Sequence, residues 1–173
     1  ARIPRGSFYQ YFNDKEDLIS YLLEDMREYF IALLRDVLIG AKGDLFALPL
    51  LAYDRFISGQ GHTEPMLTLF IKLMTLNKGL DLQNFMGSPQ GFIGEPTCFL
   101  PDPLWEVVDP SRLRRSREYA DQVFHLVCAV LAFAIVETLR DPERSPQVRE
   151  QTRVRVDMLR YGGAAEGYKE ECT

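Results

Sequence analysis

The stretch that decides the interpretation of this chain runs Arg2-Ile3-Pro4-Arg5-Gly6-Ser7-Phe8-Tyr9-Gln10-Tyr11-Phe12-Asn13-Asp14-Lys15-Glu16-Asp17-Leu18. Four aromatic side chains fall within five positions, between two arginines and a lysine. Alternating aromatic residues also occur in strands. A short helix accounts for this segment better, because Phe8 and Phe12 then share one apolar face while Gly6 and Gln10 face away from it. Pro4 suits the first position of such a helix.

The face opposite the two phenylalanines has the chemistry of a surface that reads DNA. Small side chains at Gly6 and Ser7 allow the backbone to approach base edges, and Arg5 can donate two hydrogen bonds to a guanine. Tyr9 and Tyr11 on the two sides of the helix can hold phosphates and fix the register. We therefore expect this helix to enter a major groove.

Residues 3–18 resemble the recognition helix and the start of the fourth helix of TetR-like (tetracycline-repressor-like) transcriptional regulators. The shared pattern is a small or basic lead-in, leucine or phenylalanine, tyrosine, any residue, histidine or tyrosine, phenylalanine, a short turn, and lysine-acidic-acidic-leucine. Tyr11 stands where many members have histidine. The resemblance implies that Phe8, Phe12 and Leu18 hold the small domain together and that DNA is contacted by Pro4, Arg5, Gly6, Ser7, Tyr9, Gln10, Tyr11 and Lys15.

The resemblance also implies an all-α architecture, a helical bundle with two parts. Residues 1–20 would form the C-terminal part of a helix-turn-helix DNA-binding domain, and residues 21–173 an effector-binding and dimerisation domain. Family members carry two further helices before this point, and we expect the complete protein to carry them ahead of Ala1. The remainder of the chain agrees with the family in architecture only.

Composition limits the classes of function. The chain has 173 residues, 46% of them hydrophobic, and a formal net charge of -5, so any nucleic-acid contact must be confined to a local basic patch. Its three cysteines lack the spacing of zinc or redox motifs. The longest apolar run, Val123 to Val136, is shorter than the roughly 20 residues that span a bilayer. We expect a soluble, cytoplasmic protein without a membrane partner.

Apolar residues at three- and four-residue spacing predict a series of amphipathic helices. Asp14 can cap the first one, with Asp17 completing an approximate capping box, and Gly40 and Gly43 end it. Recurrent glycine and proline predict an irregular connection over residues 79–110. The predicted helices are Asp14–Leu38, Asp44–Ser58, Glu64–Lys78, a single turn near Leu104–Val108, Ser111–Arg140, and a last helix from Ser145-Pro146 to Tyr161.

The segment from Phe124 to Val136 is apolar on every side of its helix, so every side must be covered. Burial in the core alone is one explanation. A dimer seam shared with the last helix is the other, and the alanines would permit close helix approach. The predicted homodimer interface comprises Ala129, Ala132, Phe133, Val136, Val148, Thr152, Val156 and Leu159.

Methionine and aromatic residues of the middle helices predict an effector pocket, because flexible side chains adapt to a ligand. The same residues at helical spacing also simply fill cores, which is the more frequent case for any one of them. The cluster from Arg112 to Arg117 is interpreted as a solvated helix start, with binding of an anionic effector as the alternative. The candidate pocket residues are Tyr53, Phe56, Met66, Phe70, Met74, Phe85, Trp105, Phe124 and Cys128.

These features favour a ligand-responsive repressor that binds operator DNA as a homodimer and responds to a small-molecule effector. An enzyme is not expected, because the two histidines, His62 and His125, lie outside any nucleophile or metal motif. We expect no cofactor and no metal. The alternative is a small all-helical ligand-binding protein or enzyme without a DNA-binding role.

Overall fold

The computed structural model describes residues 11–57, 64–76, 100–113 and 117–162, apart from the side chains of Glu16, Phe70 and residues 73–76. Within these ranges the chain is all-helical, which confirms the all-α part of the predicted fold. The described α-helices are α1 (Lys15–Gly40), α2 (Leu48–Phe56), α3 (Pro65–Leu76), α4 (Asp102–Trp105), α5 (Arg117–Arg140) and α6 (Ser145–Tyr161), with 3-10 turns at Leu45–Ala47, Pro110–Arg112 and Pro142–Arg144.

Helix α1 begins where the capping residues predict. The backbone of Asp14 is extended, and its carboxylate accepts a hydrogen bond from the amide of Asp17 at 2.7 Å. The Asp17 carboxylate in turn accepts from the amide of Asn13 at 3.1 Å, so the reciprocal bond of the capping box forms one residue earlier than usual. The core face of this helix consists of buried residues: Met26, Phe30, Leu34 and Leu38.

A turn with positive φ angles ends α1 and ties it to a distant segment. Lys42 has φ 54° and Gly43 has φ 74°. The amide of Gly43 donates to the carbonyl of Leu38 at 2.9 Å, which satisfies one of the last carbonyls of the helix. The carbonyl of Gly43 accepts from the amide of Asp109 at 3.0 Å. The end of α1 is therefore fixed to the chain that leads into α5.

The core lies between α2, α5 and α6, which pack on one another, and α1 covers α2 and α4. Pro49 falls in the first turn of α2, where its missing amide costs no helical hydrogen bond. Tyr53 of α2 is buried at the centre. Its hydroxyl donates to the carbonyl of Ser145 (3.2 Å) and shares a hydrogen bond with the hydroxyl of Thr138 (2.7 Å). Desolvation raises the pKa of Tyr53, so the phenol stays neutral.

Replacing Tyr53 with phenylalanine is expected to lower the free energy of unfolding by about 1 to 3 kcal/mol, because the buried carbonyl of Ser145 and the buried hydroxyl of Thr138 each lose a hydrogen-bond partner. Urea denaturation at fixed protein concentration measures the change. Tyr21→Phe is the matched control, because Tyr21 is 61% exposed and its loss should stay within about 0.5 kcal/mol. Equal stabilities of the two variants would show that the buried hydroxyl contributes nothing net.

The predicted start of the long helix at Ser111 is wrong, since α5 begins at Arg117. Pro110 opens a separate 3-10 turn, and the Asp109 carboxylate accepts from the amide (3.0 Å) and the hydroxyl (2.6 Å) of Ser111. This local capping competes with continuation of the helix. The predicted helical turn near Leu104 exists but is centred slightly earlier, because Asp102 and Pro103 form its first turn.

Helix α5 is the one helix of the described chain that is long and apolar enough to cross a membrane, and 39% of its most apolar window is buried. Val127, Leu131 and Ala134 are buried in contact with the core. Its packing against α2 and α6 accounts for the apolar residues on one side of the helix. The other side carries exposed apolar residues that the core does not explain.

Candidate functional site

Two of the predicted DNA-contacting residues lie in the described chain. Tyr11 is 78% exposed, and Lys15 is exposed at the first position of α1. The ring of Phe12 lies 5.7 Å from that of Tyr21 on α1. The predicted contacts outside the described residues are Pro4, Arg5, Gly6, Ser7, Tyr9 and Gln10.

Among the residues predicted to line an effector pocket, those whose side chains the structure describes do not line either of the two cavities described below. Tyr53, Phe56 and Phe124 are buried core residues. The side chains of Phe70, Met74 and Phe85 lie outside the described residues. Those of Met66, Trp105 and Cys128 are partly buried against the core, and desolvation raises the pKa of the Cys128 thiol to about 12.

A cavity of about 250 Å³ lies where the end of α1, the lead-in to α5 and the end of α6 meet. Asp44 is almost fully buried at its wall. One carboxylate oxygen accepts from the amide of Phe46 at 3.0 Å, and the other accepts from Arg112 at 3.3 Å and from Arg160 at 2.6 Å. The residues that line the cavity are Asp44, Phe46, Arg112, Tyr119 and Arg160.

The two described arginines of the predicted basic cluster, Arg112 and Arg117, are partly exposed and also form ion pairs. Arg112 also pairs with Asp109 at 3.1 Å. The hydrogen bonds that Asp109 accepts from Ser111, together with Arg112, lower the pKa of the Asp109 carboxyl. Arg117 pairs with Asp102 and lies 5.5 Å from the ring centre of Trp105. Arg112 thus connects the segment before α5 to Asp44, and Arg117 connects α5 to Asp102 of α4.

A second, larger groove of about 530 Å³ lies between α1 and α2. Tyr29 and Leu33 of α1 face Leu51 and Asp54 of α2 across it. Asp54 forms a bidentate pair with Arg149 of α6 (2.6 and 2.7 Å), and this pair raises the pKa of Arg149. Both polar and apolar side chains line the groove, and the carboxylate of Asp54 is already paired with Arg149.

The predicted dimer interface separates into two parts. On α5, Ala129, Ala132, Phe133 and Val136 are exposed and form an apolar surface. On α6, by contrast, the predicted residues belong to the chain's own core. Val148, Thr152 and Val156 are buried there, and Leu159 is partly buried.

The surface of α6 that a partner can reach is a different one from that predicted. Val154 and Met158 are exposed, at 46% and 54%. Arg155 joins this surface to α5, because its guanidinium lies 4.6 Å from the ring centre of Phe133 and pairs with Glu137 at 3.0 Å. We call the exposed apolar residues together the α5/α6 face, which comprises Leu126, Ala129, Ala132, Phe133, Val136, Val154 and Met158.

Comparisons with protein-family models, curated proteins and solved structures found no match to this chain. Within the described ranges, no group of three or more histidine, cysteine or acidic side chains converges to hold a metal ion. Three features of the chain bear on function: the aromatic and basic segment before α1, the charged cavity and the α5/α6 face.

Proposed function

We propose that this chain is part of a TetR-like transcriptional regulator, a ligand-responsive repressor that binds operator DNA as a homodimer. The observation that carries the proposal is the sixteen-residue pattern from Ile3 to Leu18. The start of α1 at Lys15, directly after the aromatic run, supports it, because the family pattern begins its fourth helix there. Exposed Tyr11 and Lys15 are available to phosphates.

Helix α1 gives this proposal a mechanical element. It has 26 residues and is therefore about 39 Å long at 1.5 Å per residue. One end adjoins the predicted DNA-reading segment, and the other is fixed at Gly43 to the chain before α5. Because α1 is one continuous helix, a displacement of its end near Gly43 also moves the end that adjoins the predicted DNA-reading segment.

Two recognition helices of a dimer must match half-sites about one helical turn apart. The α5/α6 face supports a dimer, since Leu126, Phe133 and Val136 are exposed on α5, whose other side is already in the core. A ligand that binds better to one spacing of the recognition helices than to the other shifts the population toward that spacing. The operator is then held or released.

Binding of the complete protein to labelled DNA from upstream of its own gene tests the proposal. We expect tight binding to one site and an affinity at least about a thousandfold lower for scrambled DNA, falling steeply with salt. Failure to bind any fragment even at low salt would favour a helical ligand-binding protein without a DNA role.

In the complete protein, Arg5→Ala is expected to weaken operator binding by about 1 to 3 kcal/mol, roughly five- to 150-fold, and to relax the preference for one base pair. The reason is the loss of two hydrogen bonds from the guanidinium to a guanine. Fluorescence anisotropy with operator variants measures both effects. Arg153→Ala, on the exposed side of α6, is the control. Unchanged sequence preference in Arg5→Ala would remove its assigned role.

A further inference from the structure

The cavity beside Asp44 combines positive charge with aromatic walls. Two arginines and one carboxylate line it together with Phe46 and Tyr119. Its volume of about 250 Å³ lies just below the roughly 300 to 1,000 Å³ of pockets for drug-sized ligands. The space therefore suits a ligand with a single ring.

The carboxylate of Asp44 is not available to a ligand. It already accepts three hydrogen bonds from donors of the chain: one oxygen accepts from the amide of Phe46, and the other accepts from Arg112 and Arg160. Its side chain is only 11% exposed. A cationic ligand would have to displace two guanidinium groups, so the cavity disfavours cations.

The arginines, in contrast, have donors left over. Each guanidinium carries five N–H donors in a planar fork. Arg160 uses its Nη2 group on Asp44, which leaves its Nη1 group for a ligand, whereas its Nε is buried out of a ligand's reach. Arg112 spends Nε on Asp109 and Nη1 on Asp44, so its Nη2 remains for an acceptor in the cavity. Asp109 offsets part of the positive charge from outside the lining.

The aromatic side chains complete the site. The guanidinium of Arg160 lies 5.5 Å from the ring centre of Phe46, so a flat cation already packs on one wall. Phe46 is buried and Tyr119 half-buried, which gives a flat ligand an apolar surface to contact. Guanidinium groups match the geometry of a carboxylate, which accepts two parallel hydrogen bonds.

We infer that this cavity binds a small aromatic carboxylate, with its carboxylate held by Arg112 and Arg160 and its ring against Phe46. The residues come from three separate parts of the chain, so a bound ligand would bridge the segment after α1, the lead-in to α5 and the end of α6. If the proposed function holds, such a ligand acts on the fixed end of α1 and thereby on DNA binding. Binding itself does not depend on that function.

Isothermal titration of the purified protein with benzoate tests the site. Benzoate should bind saturably with a Kd at or below about 1 mM. Benzamide, which has the same shape without the charge, and acetate, which has the charge without the ring, should each bind at least about tenfold more weakly. Absence of saturable benzoate binding, or equal binding of benzoate and benzamide, would overturn the inference.

Two variants locate the binding. Arg160→Gln should weaken benzoate binding at least about tenfold, whereas Arg153→Gln, with the same charge change on the same helix but away from the cavity, should leave it within about twofold. If Arg160→Gln unfolds, Arg112→Gln gives the same test at a more exposed side chain. Benzoate binding that neither cavity variant weakens would place the ligand elsewhere.

A separate measurement distinguishes this site from the proposed function. Operator binding by the complete protein is followed with and without benzoate. Binding of benzoate with no DNA binding at all keeps the site and removes the regulator. Operator binding without any benzoate affinity keeps the regulator and removes the site.

Discussion

Replacing Gly43 with alanine is expected to lower the free energy of unfolding by about 2 to 5 kcal/mol, because the new methyl group meets both a conformational and a steric penalty. The residue has φ 74°, and a left-handed conformation is unfavourable by about 1 to 2 kcal/mol for an L side chain. An added Cβ would also meet the backbone amide of Asp109 and lie 2.7 Å from the carbonyl of Val107. Because these are backbone atoms, the contact can be relieved only by moving the segment, at about 1 to 3 kcal/mol.

Two other glycines separate these effects in the same urea titration. Gly40→Ala, in α1 with nothing within 4 Å of the new Cβ, should raise stability by up to about 1 kcal/mol. Gly162→Ala has a positive φ of 92° but open space, so only the conformational term applies. A Gly43 variant no less stable than the Gly162 variant would show that the close approach to Asp109 relaxes freely.

The same turn also contributes to the candidate ligand site. Gly43 directly precedes Asp44, whose carboxylate gathers Arg112 and Arg160. The hydrogen bond from the Asp109 amide to the Gly43 carbonyl (3.0 Å) holds that region against the segment that carries Arg112. We therefore expect Gly43→Ala to disturb the cavity as well as the fold.

Helix boundaries were predictable where local chemistry fixes them. Asp14 and Asp17 mark the start of α1, and Ser145-Pro146 the start of α6, because capping and proline preferences act over a few residues. The start of α5 was not predicted correctly, since Asp109 and Ser111 form their own capped turn before it. Local rules conflicted there, and the packing of Arg112 on Asp44 is a non-local contact that periodicity does not reveal.

The cavity was missed for the same reason. Asp44 and Arg160 are 116 positions apart in the sequence, and no spacing rule joins them. The predicted pocket instead collected methionine and aromatic residues, which serve cores and pockets equally well. The basic cluster did contain a usable signal. Binding of an anionic effector was the alternative interpretation of that cluster, and Arg112, which belongs to it, lines the cavity.

The predicted interface on α6 illustrates what amphipathicity determines. The stripe of Val148, Thr152 and Val156 is buried, but its neighbour is the chain's own core. A pattern in one sequence identifies a buried face without identifying the partner that covers it. On α5 the apolar residues exceed what one core contact needs, and this excess points to a second surface.

Ala132→Arg is expected to abolish the proposed homodimer at micromolar concentration, with a loss of about 3 kcal/mol or more in association, roughly a hundredfold or greater in Kd. Ala132 is exposed on α5 within the α5/α6 face, where a small side chain permits close helix approach. An arginine there would place an unpaired charge in an apolar seam, which costs several kilocalories per mole. Analytical ultracentrifugation across a concentration series measures the equilibrium.

Ala32→Arg is the matched control, because Ala32 is also an exposed alanine in a helix but lies on α1, beside the groove with α2. It introduces the same charge and should leave the sedimentation profile unchanged. Circular dichroism should show equal helix content for both variants, since neither position is buried in the described chain. A dimer that survives Ala132→Arg would place the interface away from this face. It would leave the exposed side of α5, with Phe133 and Val136, in need of another covering partner.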